Sequence, residues 1–273
     1  MRRRRSLVRR WASCGLLVAT GCALSAPPAE ATLGAVGATD ELDEQTRAAL
    51  TVAGSTGADV ATLVTASHWL FLAADLRLQR ATAEWLAAHP AASRAEVLAA
   101  DDQVGDDVRT AIASLCTRGL ELADRAATTS PDDVAVRLHQ ALHVSLLAFA
   151  NGPARSLFAG YGPKLVAAID KAVALDPTHD GAAPLRLSGR FRGKAPWPYG
   201  DLAAAEKALT RAVEVAPGLV NHLFLGDVLA RQQRDEAALV QWRAALAAPT
   251  DASTRWAADF LRRQAQARCE SRP

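Results

Sequence analysis

Two histidines of this chain have a spacing that could support chemistry. His139 and His143, in "HQALH", are four residues apart, so a helix would place both on one face as a possible pair of metal ligands. Zinc proteases carry a glutamate directly after the first histidine as general base, and Gln140 cannot take a proton in that position. Because no third ligand accompanies the pair, we expect neutral histidines packed between helices and keep a metal-dependent enzyme as the alternative.

The acidic stretch "DDQVGDD", residues 101–107, has four carboxylates that could hold calcium. It lacks the ligand spacing and the terminal glutamate of an EF-hand loop, and we expect a solvated loop that caps a helix. The sequence also contains no glycine-rich phosphate loop, no G-x-S-x-G elbow and no CxxC pair. We therefore predict a protein that is not an enzyme, with no catalytic residues, no metal and no cofactor.

The elements that position these residues are predicted to be helices. Apolar residues recur at helical spacing between Ala48 and Arg268, clusters of proline, glycine and aspartate interrupt them, and no strand-like alternation stands out. The fold class is all-α. The predicted helices cover residues 61–89, 93–99, 106–128, 131–150, 160–175, 181–191, 201–215, 219–232, 234–246 and 252–267. Ser130 and Asp201 are the expected N-caps of two of them.

Four segments of the chain repeat one short template. "DRAATTSP", "DKAVALDP", "TRAVEVAP" and "WRAALAAP" each have a basic residue, an alanine and, five residues after the alanine, a proline. A small residue lets two helices approach closely, and the proline cannot continue the helix. The alanines of the template are Ala126, Ala172, Ala212 and Ala244.

This template resembles the second helix of the tetratricopeptide repeat (TPR). The last copy is the best match, with Gly226 in its first helix and Ala238, Trp242 and Ala245 in its second. The template alanines are 46, 40 and 32 residues apart, so the earlier copies carry insertions. The resemblance implies a degenerate array of helical hairpins, an α-solenoid, as one domain over residues 40–268.

A longer run, "KAVALDPTHDGAAPLRLSGRFRGKAPWPYGDLAAAEKALTRAVEVAPGLVNHLFLGDVLA", is similar to the T component of periplasmic TRAP transporters. The shared features are a segment rich in proline and glycine and a following "GD...A...L..A....P" helix, and the resemblance covers residues 106–247. Similar TPR-like lipoproteins without an assigned role share them. The resemblance implies a helical periplasmic protein that binds a substrate-binding subunit.

The first residues have the order of an export signal. "MRRRRSLVRR" is basic, "WASCGLLVATG" is apolar but too short to span a bilayer, and prolines follow. Two cleavage sites fit. Residues 19–22 resemble a lipobox, although Ala19 stands where leucine is usual. Cleavage there would make Cys22 the lipidated first residue. Alternatively, Ala29-Glu30-Ala31 fits the site of an ordinary signal peptidase. We expect residues 1–31 to be the signal and linker, and the protein to be exported, either periplasmic or anchored to the membrane as a lipoprotein.

Removal of the signal changes the charge of the protein. Six of the 31 basic residues precede Cys22, which leaves 25 basic and 29 acidic residues and a net charge of −4. This balance argues against nucleic-acid binding through a basic surface. Of the four cysteines, Cys116 and Cys269 remain; they could form one bridge, but isolated thiols are more often packed singly.

The candidate contact residues lie in and near "RFRGKAPWPYGD", residues 190–201. Pro196 and Pro198 hold this segment extended, so Trp197 and Tyr199 would be rigid aromatic surfaces. The alternative is that Trp197 folds back to fill the core. The predicted partner-binding or ligand-binding residues are Arg190, Arg192, Trp197, Tyr199, Asn221, His222, His139 and His143. The expected partner is a protein, with a small ligand as a second candidate, and the alternative function is a structural scaffold for an envelope complex.

Overall fold

The computed structural model describes residue 33 and residues 39–55, 57–250 and 254–272. These residues form eleven α-helices and one 3₁₀ turn, Ala100–Gln103, and no strand occurs among them, which confirms the all-α prediction. The helices are α1 (Asp40–Ala53), α2 (Val60–Ala88), α3 (Arg94–Leu98), α4 (Asp106–Thr129), α5 (Val134–Phe158), α6 (Tyr161–Leu175), α7 (His179–Lys194), α8 (Leu202–Val215), α9 (Leu219–Arg231), α10 (Asp235–Ala247) and α11 (Ala258–Glu270). In these described ranges, no helix combines the length and the apolar character needed to span a membrane. The export signal and Cys22 lie outside the described residues.

Local hydrogen bonding sets the starts of the helices. The carboxylate of Asp201 accepts the backbone N–H groups of Ala203 and Ala204, both at 3.0 Å, so Asp201 is the predicted N-cap of α8. The predicted cap at Ser130 is wrong. The N–H of Ser130 still closes α4 by donating to Ala126, and α5 begins only after Asp133, whose carboxylate caps it.

The most extensive contact is between α2 and α4, and the consecutive pairs α4 with α5, α5 with α6, α7 with α8 and α9 with α10 come next. The last helix, α11, packs against α10, α2 and α9. Near it, the backbone N–H of Arg94 donates to the carbonyl of Arg272 and its guanidinium donates to the carbonyl of Ser271. Residues 271 and 272, at the end of α11, are therefore tied to the start of α3.

The alanines of the template lie at the ends of α4, α6, α8 and α10. Ala126, Ala172 and Ala212 are fully buried, but in the fourth copy the buried alanine is Ala245, one residue after Ala244. The carbonyl of each template alanine still accepts the N–H four residues later, which closes the helix. The template thus places all four helix ends, and the packing face of the last copy is shifted by one residue.

Close approach is clearest between α9 and α10. A Cβ at Gly226 would overlap the indole of Trp242, which is fully buried. Glycine at this position lets the largest buried side chain of the domain lie directly on the α9 backbone. Gly226 and Trp242, two of the residues that match the repeat, are therefore in direct contact.

Candidate functional site

The most exposed large apolar side chain among the described residues is Trp197, which is 90% accessible. It lies at the tip of the loop between α7 and α8, residues 195–201, which we call the Trp197 loop. The alternative that Trp197 fills the core is wrong. An exposed indole held on a restricted loop is typical of a contact residue, because it offers a large surface at low entropic cost.

The backbone of the Trp197 loop is held at both ends. The N–H groups of Tyr199 and Gly200 both donate to the carbonyl of Pro196 at 3.0 Å, and the N–H of Asp201 donates to Arg192 at 3.0 Å. Tyr199 is half-buried and packs on Phe191, with 6.0 Å between ring centroids. Tyr199 therefore anchors the loop, while Trp197 projects from it.

A shallow depression of about 430 Å³ lies beside Trp197. Its polar lining includes Arg192, Lys194, Asp201 and Arg231. Arg192 is 3.6 Å from the carboxylate of Asp170. The surface next to the indole thus carries both positive and negative side chains, and it has room for a side chain of a partner.

Arg190, at the start of the same segment, points inward into a group that we call the charged cluster. Its guanidinium donates to Asp227 at 2.9 Å and to Asp101 at 3.1 Å, and it stacks over the ring of Phe224. The other members of the cluster are Lys194, which pairs with Asp101, and Arg268, which forms a bidentate pair with Asp227. Arg190 is therefore an internal tie between the 3₁₀ turn, α7 and α9, and this replaces its predicted role as an open contact residue.

The charged cluster keeps its carboxylates ionised despite burial. Burial acts to raise the pKa of Asp101, but Arg190 and Lys194 outweigh it and lower that pKa to about 2. Arg268 and Arg190 likewise outweigh burial and lower the pKa of Asp227. The expectation of a solvated loop at residues 101–107 is wrong for Asp101, because that carboxylate is enclosed by cations from α7.

A second group of polar side chains, the histidine cluster, joins α2 to α5. It consists of Ser67, His68, His139 and His143. The rings of His68 and His139 are in contact, with 3.2 Å between Nδ1 of His68 and Nε2 of His139. His143 instead lies 3.1 Å from the carbonyl of Ser67 and packs against Gly119, where a Cβ would overlap its ring. The predicted i, i+4 pair therefore does not converge, because each histidine bonds a different residue of α2.

The histidine cluster is neutral at pH 7. Burial lowers the pKa of His139 to about 4 and that of His143 to about 3, and the neighbouring histidines act in the same direction. His68, which is half-buried, also has a lowered pKa through burial. These side chains satisfy the expectation of neutral histidines between helices, and His139 and His143 are interior residues instead of open contacts.

Two further predicted residues are engaged inside the protein. Asn221 is only 2% exposed, and its amide donates to the carbonyls of Gly181 and Ala216 while its oxygen accepts from Arg186. His222 is half-buried and pairs with Gln241 at 2.8 Å. Neither residue is free on a surface, and Asn221 instead holds the first turn of α7 and the end of α8 against α9.

No family model matches this chain, and no curated protein has significant similarity to it. Cys116 and Cys269 are free, and Cys116 is buried. Sequence reasoning missed Asp227 and Arg268, although an aspartate directly after Gly226, inside an apolar helix, was a usable signal for a buried ionic contact.

Proposed function

We propose that this protein is an exported, TPR-like binding protein that contacts a partner protein through the Trp197 loop. The observation that carries the proposal is the 90% exposure of Trp197 on a loop fixed by backbone hydrogen bonds. An exposed aromatic side chain next to a charged depression has the composition of an interface hot spot with a polar rim. The loop also needs little reordering on contact.

The proposed repeat arrangement is a degenerate TPR-like array. Its support is the pairing of successive helices and the burial of small residues at their contacts, including Ala126, Ala172 and Ala212. In such arrays each hairpin buries its apolar face on the next, and the turns at the edges of the array remain exposed. The Trp197 loop is the turn within the α7–α8 hairpin, and its residues 196–198 are exposed.

The proposed location is the cell envelope, with a lipid on Cys22 as the anchor. The proposed partner is a periplasmic substrate-binding subunit, as the resemblance to the T component of TRAP transporters implies. A structural scaffold for another envelope complex would use the same surface. A metal-dependent enzyme is not favoured, because His139 and His143 bond different residues of α2.

Site-specific photocrosslinking in the native host tests this function. A photoreactive amino acid in place of Trp197 should form an adduct with one envelope protein, and the same residue in place of Val240 is the matched control, because Val240 is exposed on α10. A substrate-binding subunit in the adduct supports the transporter role, and another envelope protein supports the scaffold. Equal adducts from both positions, or none from position 197, would contradict contact through the loop.

Lipidation has its own test. Palmitate should label the wild-type protein and not Cys22→Ser, and the labelled protein should partition into detergent. An intact mass that corresponds to a mature chain beginning at Thr32 would show cleavage after Ala31 and exclude the lipid anchor.

A further inference from the structure

Arg231, the last residue of α9, is a half-buried cation that the domain does not neutralise by direct pairing. Its guanidinium donates one hydrogen bond, at 3.3 Å to the carbonyl of Leu98, and it forms no ion pair with a residue that the structure describes. A guanidinium has five N–H donors, so most of them are left for water or for a ligand. Because a half-buried charge without a counterion is unfavourable, an incoming anion would stabilise this position.

The charged cluster next to Arg231 has more cations than enclosed carboxylates. Its three cations share Asp101 and Asp227, and Arg231 adds a fourth cation at the edge. Burial lowers the pKa of Arg231, and the neighbouring charge of Arg190 acts in the same direction, against the attraction of the carboxylates. Since Asp101 and Asp227 are already bound by the cluster's own cations, a surplus of positive charge is left at Arg231.

Arg231 lines the depression beside Trp197 together with Arg192, Lys194 and Asp201. Three cations and one carboxylate give this lining a formal charge of +2. The carboxylate does not face a cation of the lining as its partner, because Oδ1 of Asp201 accepts the two backbone N–H groups that begin α8. The depression is therefore a positively charged surface directly beside an exposed indole.

The two other cations of the lining already have carboxylates near them. Arg192 lies 3.6 Å from Asp170, and Lys194 lies 3.7 Å from Asp102. Both carboxylates are more than half exposed, and exposed pairs of this kind are weak. The need for a further counterion is consequently greatest at Arg231, and it is met by a single negative charge.

Small residues provide the room in the depression, since its lining includes Gly193, Ala195 and Gly200. A Cβ at Gly193 would lie 2.9 Å from a methyl group of Val228 on α9, and a Cβ at Gly200 would overlap the carbonyl of Ala195. These close approaches of the backbone fix the walls of the depression. A ligand would therefore meet a preformed shape, which lowers the entropic cost of binding.

We propose that this depression binds a carboxylate from an acidic segment of the partner protein, and that an apolar residue of the same segment covers the indole of Trp197. The guanidinium of Arg231 is the main binding group, because its planar fork matches the two oxygens of a carboxylate. Arg192 and Lys194 add positive charge at the rim. The inference rests on the proposed function, since it names the chemistry of the partner that the Trp197 loop contacts.

NMR titration of the purified protein with two capped peptides tests the proposal without knowledge of the partner. Acetyl-Glu-Leu-Glu-amide should shift the resonances of the Arg231 Nε–H and of the Trp197 indole N–H. Acetyl-Gln-Leu-Gln-amide has a closely similar shape without the charge and should shift neither. Raising NaCl to about 0.5 M should weaken the response to the acidic peptide, because salt screens an exposed charge contact.

Variants separate Arg231 from the general charge of the protein. The shift of the Trp197 indole at a fixed concentration of the acidic peptide should fall by roughly fivefold or more in Arg231→Gln. Arg243→Gln, at an exposed position of α10, is the matched control and should respond as the wild type does. The melting temperature of Arg231→Gln should stay the same or rise, because the change removes a half-buried charge that has no ion pair.

Several results would overturn the carboxylate site. These are equal responses to the two peptides, an unmoved Arg231 resonance in the wild type, or an unchanged response in Arg231→Gln. If Arg231→Gln does not fold, the wild-type comparison of the two peptides decides the question. Shifts caused by phosphatidylglycerol vesicles, with no response to the acidic peptide, would instead assign the surface to a membrane.

Photocrosslinking distinguishes this inference from the proposed function. With the photoreactive amino acid at position 197, Arg231→Gln should reduce the adduct by roughly fivefold and Arg243→Gln should not. An adduct that is unaffected by Arg231→Gln would retain the loop as a contact and overturn the carboxylate site. A response to the acidic peptide without any adduct would contradict contact through the loop and still support the carboxylate site.

Discussion

The charged cluster and the histidine cluster both bury polar side chains, but the first buries them ionised and the second buries them neutral. Both place polar side chains between helices that are distant in sequence. The charged cluster keeps its groups ionised by enclosing Asp227 and Asp101 with arginine and lysine, whereas the histidine cluster keeps its groups neutral. Burial of charge demands nearly complete pairing, whereas a neutral imidazole needs only hydrogen bonds.

The two clusters also differ in their response to acid. The carboxylates of the charged cluster have lowered pKa values and stay ionised until strongly acidic pH. Below the usual histidine pKa of about 6.5, the unfolded chain takes up protons that the buried histidines do not, so the folded state loses stability relative to the unfolded state. The histidine cluster is therefore the acid-sensitive contact between α2 and α5.

The largest effect is expected from breaking the charged cluster. Asp227→Asn removes the charge that pairs Arg268 and Arg190, and it leaves two cations without their main counterion. We expect a loss of about 3–5 kcal/mol in the free energy of unfolding, measured by urea denaturation. Glu214→Gln, which alters the exposed pair with Arg211, is the control and should leave the urea midpoint unchanged. Equal effects of the two changes would mean that the cluster is not a buried ionic contact.

Acid should next break the histidine cluster. The folded pKa values of His139 and His143, about 4 and about 3, are below the unfolded value of 6.5, so the unfolded state binds more protons in between. Stability is complete above pH 6.5 and falls as the pH decreases from 6.5 towards 4, by roughly 3 kcal/mol from His139 alone. The raised pKa of Asp75 acts in the opposite sense, because the folded state takes up that proton more readily.

Urea denaturation across this pH range measures the effect. The slope of unfolding free energy against pH should decrease in His139→Gln and remain in His89→Gln, since His89 is exposed. A profile that is flat between pH 6.5 and pH 4 would contradict the burial of neutral histidines.

A substitution that disturbs the packing of helices, and neither polar cluster, should have a smaller effect on stability. Ala212→Leu inserts three carbons at a fully buried position of α8 and should destabilise the protein by about 1–3 kcal/mol. Ala203→Leu, on the exposed side of the same helix, is the control and should be nearly silent in a thermal melt. If both substitutions leave the melt unchanged, Ala212 is not at a tight helix contact.

The smallest change in stability is expected at Trp197, because its side chain is almost fully exposed. Trp197→Ala removes a side chain that is 90% accessible, so the melting temperature should hardly change. Affinity for the crosslinked partner should nevertheless weaken by roughly 2 kcal/mol or more, as measured by calorimetry. A clear drop in melting temperature with affinity intact would show that the loop is purely architectural.

The sequence by itself determined the elements that depend on neighbouring residues. Proline and aspartate positions predict most helix ends to within a few residues, because capping and the loss of a backbone N–H are local effects. The first helix, α1, was not among the predicted helices, and α11 begins at Ala258, later than the predicted 252. The small residues Ala126, Ala172 and Ala212 were recognisable as contact points because the template repeats.

The tertiary structure alone decided which polar residues meet. The i, i+4 spacing of His139 and His143 describes one helix. It contains no information on His68, which contacts His139 although the two residues are 71 positions apart. Asp227 likewise meets Arg190 and Arg268 only because α7, α9 and the C-terminal helix pack together. Whether Trp197 is exposed or buried was equally undetermined, since the same two prolines would stiffen the loop in either orientation. Such contacts are set by the summed packing of many side chains, and no short stretch of sequence contains that sum.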